Sequence, residues 1–221
     1  MKYISIDLET TGLNPDRHQI LEFGAVIEDT DKPIALGDLP SFHAYLLWDE
    51  VIGDPFALAM NYKILSIISD NKQWKDHNII TPDNLGPLFK KFIDENFSGF
   101  TTSYSGKVTV AGKNFGNFDN QFLKKLPNFF EHISFEHRFL DPGSIFFDPT
   151  QDKKLPGLDI CLERVGVRKS VAHTAVEDAK DVILALRGKL QYHKKQENEL
   201  EMLLDVFDQD KMIDAPKKIG I

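Results

Sequence analysis

The N-terminal segment combines the pattern of a β-strand with two acidic side chains one residue apart. It runs from Ile4 to Leu13 with the sequence ISIDLETTGL. Side chains alternate between the two faces of a strand, so Asp7 and Glu9 are predicted to share one face while the apolar residues between them face the interior. Neighbouring carboxylates repel each other unless a cation lies between them, and carboxylate oxygens suit Mg²⁺ or Mn²⁺. A solvated strand end is the simpler interpretation of an isolated pair, and the rest of the chain decides between the two.

Two later segments each contain a further carboxylate. Residues 108–119 end in Asp119, and residues 171–179 contain His173 and Asp178. The four residues TAVE that start at Thr174 have the form of a capping box, which predicts a helix with Thr174 as its N-cap residue. His173 is then expected on the loop before the helix, and Asp178 in its first turns, where the helix dipole favours an anion.

The composition is that of a globular protein. The chain has 221 residues, of which 42% are hydrophobic and 27% charged. We predict one domain over residues 1–190, followed by a C-terminal helical extension and tail over residues 191–221. The net charge of −8 argues against a protein that clamps long duplex nucleic acid. It is compatible with a nuclease, because an acidic metal site contributes part of that charge.

Three features of the sequence predict a cytoplasmic protein without a membrane partner. Apolar stretches of the roughly 20 residues that a membrane span needs are absent from the sequence. The N-terminus also lacks the pattern of a signal peptide. The single cysteine, Cys161, cannot form an internal disulfide, which fits a reducing compartment and a position in the core.

Hydrophobic periodicity predicts an α/β architecture. Strands are predicted over residues 2–7, 19–27 and 41–47, and the short turns between them favour an antiparallel meander. Helical spacing follows at Leu85, Leu88, Phe89, Phe92 and Ile93. Further strands are predicted at 107–111 and 138–140, and further helices at 120–130 and 158–165. Residues 48–80 lack a clean period and are expected to hold one or two short helices.

The three acidic segments, in this order and at this wide spacing, resemble the DEDD superfamily of 3′-to-5′ exonucleases in its His-containing branch. That branch includes bacterial polymerase proofreading subunits, oligoribonuclease and ribonuclease T. The residues DLETTGL from Asp7 resemble the first motif, Phe118-Asp119 resembles the second, and His173 with Asp178 resembles the third. The resemblance covers about residues 1–190.

One position departs from the proofreading pattern. Proofreading members often have an asparagine four residues before the second-motif aspartate, where this chain has Phe115. Asn114 lies five residues before Asp119, and this spacing is closer to oligoribonuclease, whose substrates are short RNA. An oligoribonuclease-like enzyme is therefore an alternative within the same branch.

The resemblance implies a ribonuclease H-like fold, with a five-stranded mixed sheet of three antiparallel strands followed by two parallel ones, flanked by helices. It also implies phosphodiester hydrolysis with two Mg²⁺ or Mn²⁺ ions held by Asp7, Glu9, Asp119 and Asp178. Asp7 is the expected bridging ligand. His173 is expected to act as the general base that takes a proton from the attacking water.

Each residue also has an ordinary structural interpretation. Asp119 fits the N-cap of the following helix, and Phe118 fits core packing. The histidines other than His173, among them His18 and His43, fit exposed loops. Asp181, one helical turn beyond the third motif, is the best substitute ligand, although a solvated or second-shell position is expected for it. The joint occurrence of the motifs favours the site.

Substrate contacts follow from the same resemblance. The residues assigned to them are Thr10, Thr11, Gly12, Leu13, Asn114 and Phe118. The turn after Glu9 is expected to present backbone N–H groups to the terminal nucleotide, with Leu13 wedged between the last two bases and Phe118 offering an aromatic face. Candidates for phosphate contacts are Lys107, Lys113, Lys124 and Lys125, although scattered surface lysines are common.

The sequence therefore predicts a 3′-to-5′ exonuclease that releases nucleoside 5′-monophosphates from single-stranded DNA or RNA 3′ ends, as in DNA repair or replication. A noncatalytic nucleic-acid-binding or polymerase-associated module on the same fold is the alternative from another class. The intact carboxylates and His173 weigh against it. A polymerase subunit is a candidate partner.

Overall fold

The computed structural model describes residues 1–96, 106–167 and 174–190. Its centre is a five-stranded mixed sheet of β1 (Lys2–Thr10), β2 (Ile20–Asp29), β3 (Ser41–Leu46), β4 (Ile79–Ile80) and β5 (Val110–Ala111). The strand order is β4-β3-β2-β1-β5. Neighbours β1, β2 and β3 pair antiparallel, while β5 is parallel to β1 and β4 is parallel to β3. This is the predicted α/β, ribonuclease H-like arrangement.

Helices flank the sheet. They are α1 (Pro55–Met60), α2 (Tyr62–Ser69), α3 (Leu85–Asn96), α4 (Asp119–Leu123), α5 (Phe129–His132), α6 (Pro142–Ile145), α7 (Leu158–Arg164) and α8 (175–190). Short 3₁₀ turns lie at Leu36–Asp38, Trp74–Asp76 and Pro82–Asn84. No helix in these described ranges has both the length and the apolar character to cross a membrane.

The central strand β1 is covered on both faces, and this fixes where its acidic residues point. Ile4, Ile6 and Leu8 pack into the main core with α3 and α5, as predicted from their alternation. Tyr3 lies on the opposite face and packs with Val182 and other apolar residues of α8. Asp7 and Glu9 share the face of Tyr3, so α8 is the helix that approaches them.

Several predicted elements are confirmed. The antiparallel meander forms with β1 and β2 slightly longer than expected. The predicted helix at 85–93 is α3, where Leu85, Phe89 and Ile93 are buried, but Leu88 is exposed and lies off the apolar face. Two short helices, α1 and α2, occupy part of residues 48–80. Cys161 is buried in the core, as expected.

The single helix predicted at 120–130 is wrong. The chain forms α4, which ends at Leu123, and α5, which begins at Phe129. Pro127 lies between them and cannot donate a helical hydrogen bond, and it disfavours helical geometry at the residue before it. Asn128 then adopts a left-handed conformation with φ of 52°. Apolar residues keep a helical spacing on both sides of this break, so a prediction from periodicity alone treats the two helices as one.

The edges of the sheet also differ from the prediction. Residues 138–140 contribute an isolated bridge between Leu140 and Ala111 in place of a strand, and Val108 forms a second isolated bridge with Phe135. The fifth strand is instead β4, on the opposite edge. A strand of two residues is too short to show alternation of apolar and polar side chains, so β4 could not be predicted from periodicity. The predicted extension at 191–221 lies outside the described residues.

Candidate active site

Three of the predicted carboxylates converge at the C-terminal end of β1. Asp7 and Glu9 extend from β1 and Asp178 from the first turns of α8, and one carboxylate oxygen of each lies within 4.8 Å of the others. Oxygen donors at this spacing fit a hard divalent cation such as Mg²⁺ or Mn²⁺. The donor set is therefore suited to the metal that the motifs predicted.

A glycine on β2 allows α8 to deliver Asp178 to this place. Gly24 is the register partner of Asp7 on the neighbouring strand. A Cβ atom at Gly24 would collide with the backbone of Ala175 and Val176, which begin α8. The helix can approach the sheet this closely only because position 24 has no side chain.

The start of α8 agrees with the capping-box prediction. Thr174 directly precedes the helix, and its carbonyl oxygen accepts the backbone N–H of Asp178 at 2.9 Å. Asp178 therefore lies in the first turn, where the helix dipole stabilises a negative charge. The preceding residue, His173, lies outside the described residues, so its predicted role stays a prediction.

Asp119 lies beside this group of three. It is the first residue of α4, and it is 3% exposed. Phe118 occupies the N-cap position, so the interpretation of Asp119 as an N-cap is wrong. The backbone of Leu8 on β1 hydrogen-bonds the Asp119 carboxylate. Among neighbouring charges, that of Asp119 has the largest effect on Asp7.

The carboxylates of the cluster repel one another when no cation is bound. Burial, followed by the charges of Asp119 and Asp178, raises the pKa of Asp7 well above its usual value. Burial, followed by the charges of Glu22 and Asp178, raises the pKa of Glu9 to about 7. Carboxylates in this position share protons near neutral pH unless a positive charge replaces them.

The pKa of Asp119 is also raised, although backbone hydrogen bonds oppose the increase. Burial raises its pKa to about 8, and the charge of Glu9 adds to the increase. Hydrogen bonds from the backbone of Asp119 itself and of Leu8 act in the opposite direction, because they stabilise the ionised form. A divalent cation would lower the pKa of all these carboxylates together.

A further buried carboxylate, Glu22, was missed by sequence reasoning. It lies on β2 directly opposite Glu9 and is 1% exposed. Its Oε1 accepts a hydrogen bond of 2.7 Å from Nε2 of His43 on β3, while its buried Oε2 has no hydrogen-bond partner among the described residues. His43 is therefore a half-buried strand residue, and its interpretation as an exposed loop residue is wrong. The available signal was a glutamate inside the otherwise apolar run of residues 20–27.

Asn61 is a second residue that sequence reasoning missed. It is 8% exposed and lies between α1 and α2. Its side-chain amide donates to the carbonyl oxygen of Thr10 at 3.1 Å, and a side-chain hydrogen bond from Asn61 lowers the pKa of Glu9. The segment around Asn61 has no clean period, so nothing in the sequence placed it near β1.

The turn after Glu9 is held by internal hydrogen bonds. The hydroxyl of Thr10 donates to the carbonyl of Gly12 at 2.8 Å, and that of Thr11 donates to the carbonyl of Ile52 at 2.6 Å. The backbone N–H of Thr11 donates to the carbonyl of Gln19, so this N–H is already used within the protein. Both threonines are buried. Their side chains therefore shape the turn.

The tip of the turn presents one exposed apolar side chain. Leu13 is 78% exposed, and its predicted contact with substrate stays a prediction. Gly12 has φ of 156°, and a Cβ atom there would collide with the imidazole of His18. The side chain of His18 is buried and its Nδ1 accepts the backbone N–H of Asn14 at 3.0 Å. The interpretation of His18 as an exposed residue is therefore wrong.

The residues before Asp119 form a second turn. Phe118 is half-buried and its ring lies 5.1 Å from that of Phe122, so part of it packs in the core. Asn114 is exposed with φ of 57°, and its carbonyl oxygen accepts the N–H groups of Asn117 and Phe118. Asn114 thus stabilises the turn that presents Phe118.

The remaining candidates are Asp181 and the four lysines. Asp181 is fully buried, so its interpretation as a solvated residue is wrong. Lys113 and Lys125 form ion pairs with Asp141 and Asp16, respectively. The other two candidate lysines, 107 and 124, line a groove described below.

Comparison with known proteins supports the fold. No protein-family model matches the chain. No curated protein matches it by sequence. Among solved structures, the crystal structure of cell-death related nuclease 4 (CRN-4) matches with a TM-score of 0.58 and 14% identity. The match covers 86% of this chain and 64% of that chain, so this chain spans less than two thirds of the neighbour's length. At this identity the likeness shows the shared fold.

Proposed function

We propose that the protein is a metal-dependent 3′-to-5′ exonuclease. The observation that supports this most directly is the convergence of Asp7, Glu9 and Asp178 within 4.8 Å, with Asp119 buried beside Asp7. Burial of several carboxylates together is costly without a positive charge to offset their repulsion. A structural neighbour named as a nuclease has the same fold, which favours this chemistry over others.

The four carboxylates are proposed to hold two Mg²⁺ or Mn²⁺ ions. Asp7 belongs to the group with Glu9 and Asp178, and among neighbouring charges that of Asp119 affects it most, so Asp7 would be the ligand best suited to contact both ions. Ions held there would activate a water molecule and would stabilise the charge on the phosphate and the leaving oxygen. Glu22, the register partner of Glu9, and Asn61, which hydrogen-bonds Glu9, would then help to orient the Glu9 carboxylate toward the ions.

His173 is proposed as the general base. It directly precedes Thr174, and Thr174 precedes the helix that contains Asp178, so the chain leads from the base to a metal ligand within five residues. An imidazole suits proton transfer near neutral pH because its unperturbed pKa is about 6.5. Its role is to accept the proton of the attacking water.

The polarity and the form of the substrate are further parts of the proposal. The turn with exposed Leu13 lies next to Glu9, where a terminal base would be separated from its neighbour. A half-buried Phe118 next to Asp119 offers one edge of an aromatic ring. Both features suit an unpaired end, and stacking tolerates any base. We propose DNA or RNA single strands as substrates, a polymerase subunit as a candidate partner and the cytoplasm as the location.

The deciding experiment uses a single-stranded 12-mer with a fluorophore at its 5′ end. With Mg²⁺ or Mn²⁺ present we expect a ladder that shortens one nucleotide at a time and releases nucleoside 5′-monophosphates. Chelation with EDTA and the Asp7→Asn variant should both stop the reaction. Asp38→Asn, at an exposed position in the turn before β3, is the matched control and should remain active.

Other outcomes of that experiment point elsewhere. Release of the labelled end as the first product would show the opposite polarity. Binding of the 12-mer without metal-dependent turnover would support the noncatalytic module. A strong preference for RNA of two to five nucleotides over the DNA 12-mer would identify the oligoribonuclease-like alternative, which the five-residue spacing between Asn114 and Asp119 favours.

A further inference from the structure

A groove with a volume of about 490 Å³ runs along the outer side of α4. Its lining includes the cationic residues Lys107 and Lys124, the exposed His137, and the aromatic rings of Phe130, Phe135 and Phe139. Glu136 is the acidic residue in the lining. The volume lies in the range of about 300–1,000 Å³ that is usual for ligand pockets.

The groove begins beside the candidate active site. Asn120 is part of its lining and directly follows Asp119, whose carboxylate lies next to Asp7. Lys124 comes about one helical turn later and lies exposed. Lys107, three residues before β5, also lines the groove, next to the segment that contains Phe135. A ligand that filled the groove would therefore extend away from the carboxylate cluster along α4.

The aromatic rings of the groove pack against one another, and the ring of Phe130 is partly exposed. Phe130 is 38% exposed, and its ring meets that of Phe135 edge-to-face at 5.5 Å. Phe135 is in turn held by the buried rings of Phe115 and Phe129, at 5.7 Å and 6.1 Å. Rings that are anchored in this way lose little conformational freedom when a ligand stacks on them.

The groove also contains two ammonium groups, those of Lys107 and Lys124. The Lys107 ammonium lies 3.5 Å from Nε2 of His137, and the Lys124 ammonium lies 3.3 Å from the side-chain oxygen of Gln121. The contact of Lys124 with Gln121 is not an ion pair, in contrast to the pairs that Lys113 and Lys125 form. A groove that combines cations with aromatic rings is typical of sites for single-stranded nucleic acid.

We propose that this groove binds the single strand on the 5′ side of the scissile nucleotide. The inference rests on the proposed function and extends it, because it assigns the part of the substrate that does not react. Phosphates would lie along Lys107 and Lys124, and a base would stack on Phe130. Since the net charge is −8, such a local site explains how an acidic protein retains a polyanion.

The test compares substrates of two lengths. For Lys124→Gln and Phe130→Ala, KM should rise about 5-fold or more with a single-stranded 12-mer, in line with the loss of one phosphate contact or one stacked base. KM with a dinucleotide, which is too short to reach the groove, should remain within twofold of wild type. Lys124→Gln should also reduce the dependence of log(kcat/KM) on log salt by about 0.7 for the 12-mer.

Lys32→Gln is the matched control, because this exposed lysine lies in the turn after β2, at the other end of the sheet from Asp7. Equal effects on both substrate lengths, or no effect of Lys124→Gln and Phe130→Ala on the 12-mer, would overturn the proposal while leaving the exonuclease intact. If wild type cleaves neither substrate, the proposed function fails. Fluorescence anisotropy with a labelled 12-mer in EDTA then decides the groove separately: weaker binding by Lys124→Gln supports it, and unchanged binding refutes it.

Discussion

Glu9 on β1 and Glu22 on β2 are register partners across an antiparallel pair, so two acidic side chains face each other within the sheet. Nε2 of His43 lies 2.7 Å from one oxygen of Glu22, and the other oxygen is buried without a hydrogen-bond partner in the described part of the chain. Like charges directly opposite destabilise a β-sheet. The arrangement therefore costs stability in the metal-free protein and is favourable only if a cation binds at Glu9.

Glu22→Gln should separate these two effects. Removing the charge opposite Glu9 lowers the pKa of Glu9 and should raise the melting temperature of the metal-free protein. The affinity for Mg²⁺ should fall about 10-fold or more, as is usual for residues that orient a metal ligand without binding the metal themselves. Calorimetric titration with Mg²⁺ and thermal unfolding in EDTA measure the two quantities. An unchanged Mg²⁺ affinity would reduce Glu22 to a structural role, and Asp38→Asn is the control for loss of one acidic charge.

Gly24→Ala should disrupt the site without touching any acidic residue. The new methyl group would collide with the backbone at Ala175 and push the start of α8 away from β2. We expect a loss of about 1–3 kcal/mol in the free energy of unfolding. We also expect loss of metal binding, because Asp178 moves with the helix.

Gly37→Ala provides the control for Gly24→Ala. A Cβ atom at Gly37 meets nothing within 4 Å, so this variant should unfold and bind Mg²⁺ like wild type. Denaturant unfolding and metal titration of the two variants make the comparison. Full Mg²⁺ affinity in Gly24→Ala would show that α8 need not approach β2 closely to place Asp178.

The stability of the metal-free protein should depend on pH in a definite direction. Burial and like charges raise the pKa of Glu9 to about 7 and that of Asp119 to about 8. The folded state therefore binds more protons than the unfolded state between about pH 4 and pH 8, so stability is greatest near the lower limit and falls as pH rises. Saturating Mg²⁺ should largely remove this fall, because it replaces the protons. Unfolding at pH 5, 6, 7 and 8 in EDTA and in Mg²⁺ measures it; metal-free stability that rises over this range would contradict the raised pKa values.

His173→Ala should reduce turnover by about 10²- to 10⁴-fold, the range expected for loss of a general base. Metal affinity should remain close to that of wild type, because the proposed ligands are all carboxylates. Single-turnover kinetics with saturating enzyme and a parallel metal titration distinguish the two effects. A large loss of metal affinity would instead make His173 a ligand.

The sequence predicted the parts of the site that come from regular elements. Alternation along β1 placed Asp7 and Glu9 on one face, and the capping box placed Asp178 in the first turn of α8. It could not predict the pairing of Glu9 with Glu22, because register depends on which residues of two strands meet and not on either strand alone. The break at Pro127 was readable in principle, since proline ends a helix whatever the apolar spacing.

The distance along the chain between Asp7 and Asp178, 171 positions, gives the site a further property. The first strand supplies two of its carboxylates and the last described helix supplies another, so the cluster exists only after the two ends of the domain have met. Bringing together residues this far apart in sequence costs loop-closure entropy, which the rest of the fold must offset. A partly folded chain would hold Asp7 and Glu9 but no complete cation site. Hydrolytic activity would thus appear only in molecules that have finished folding.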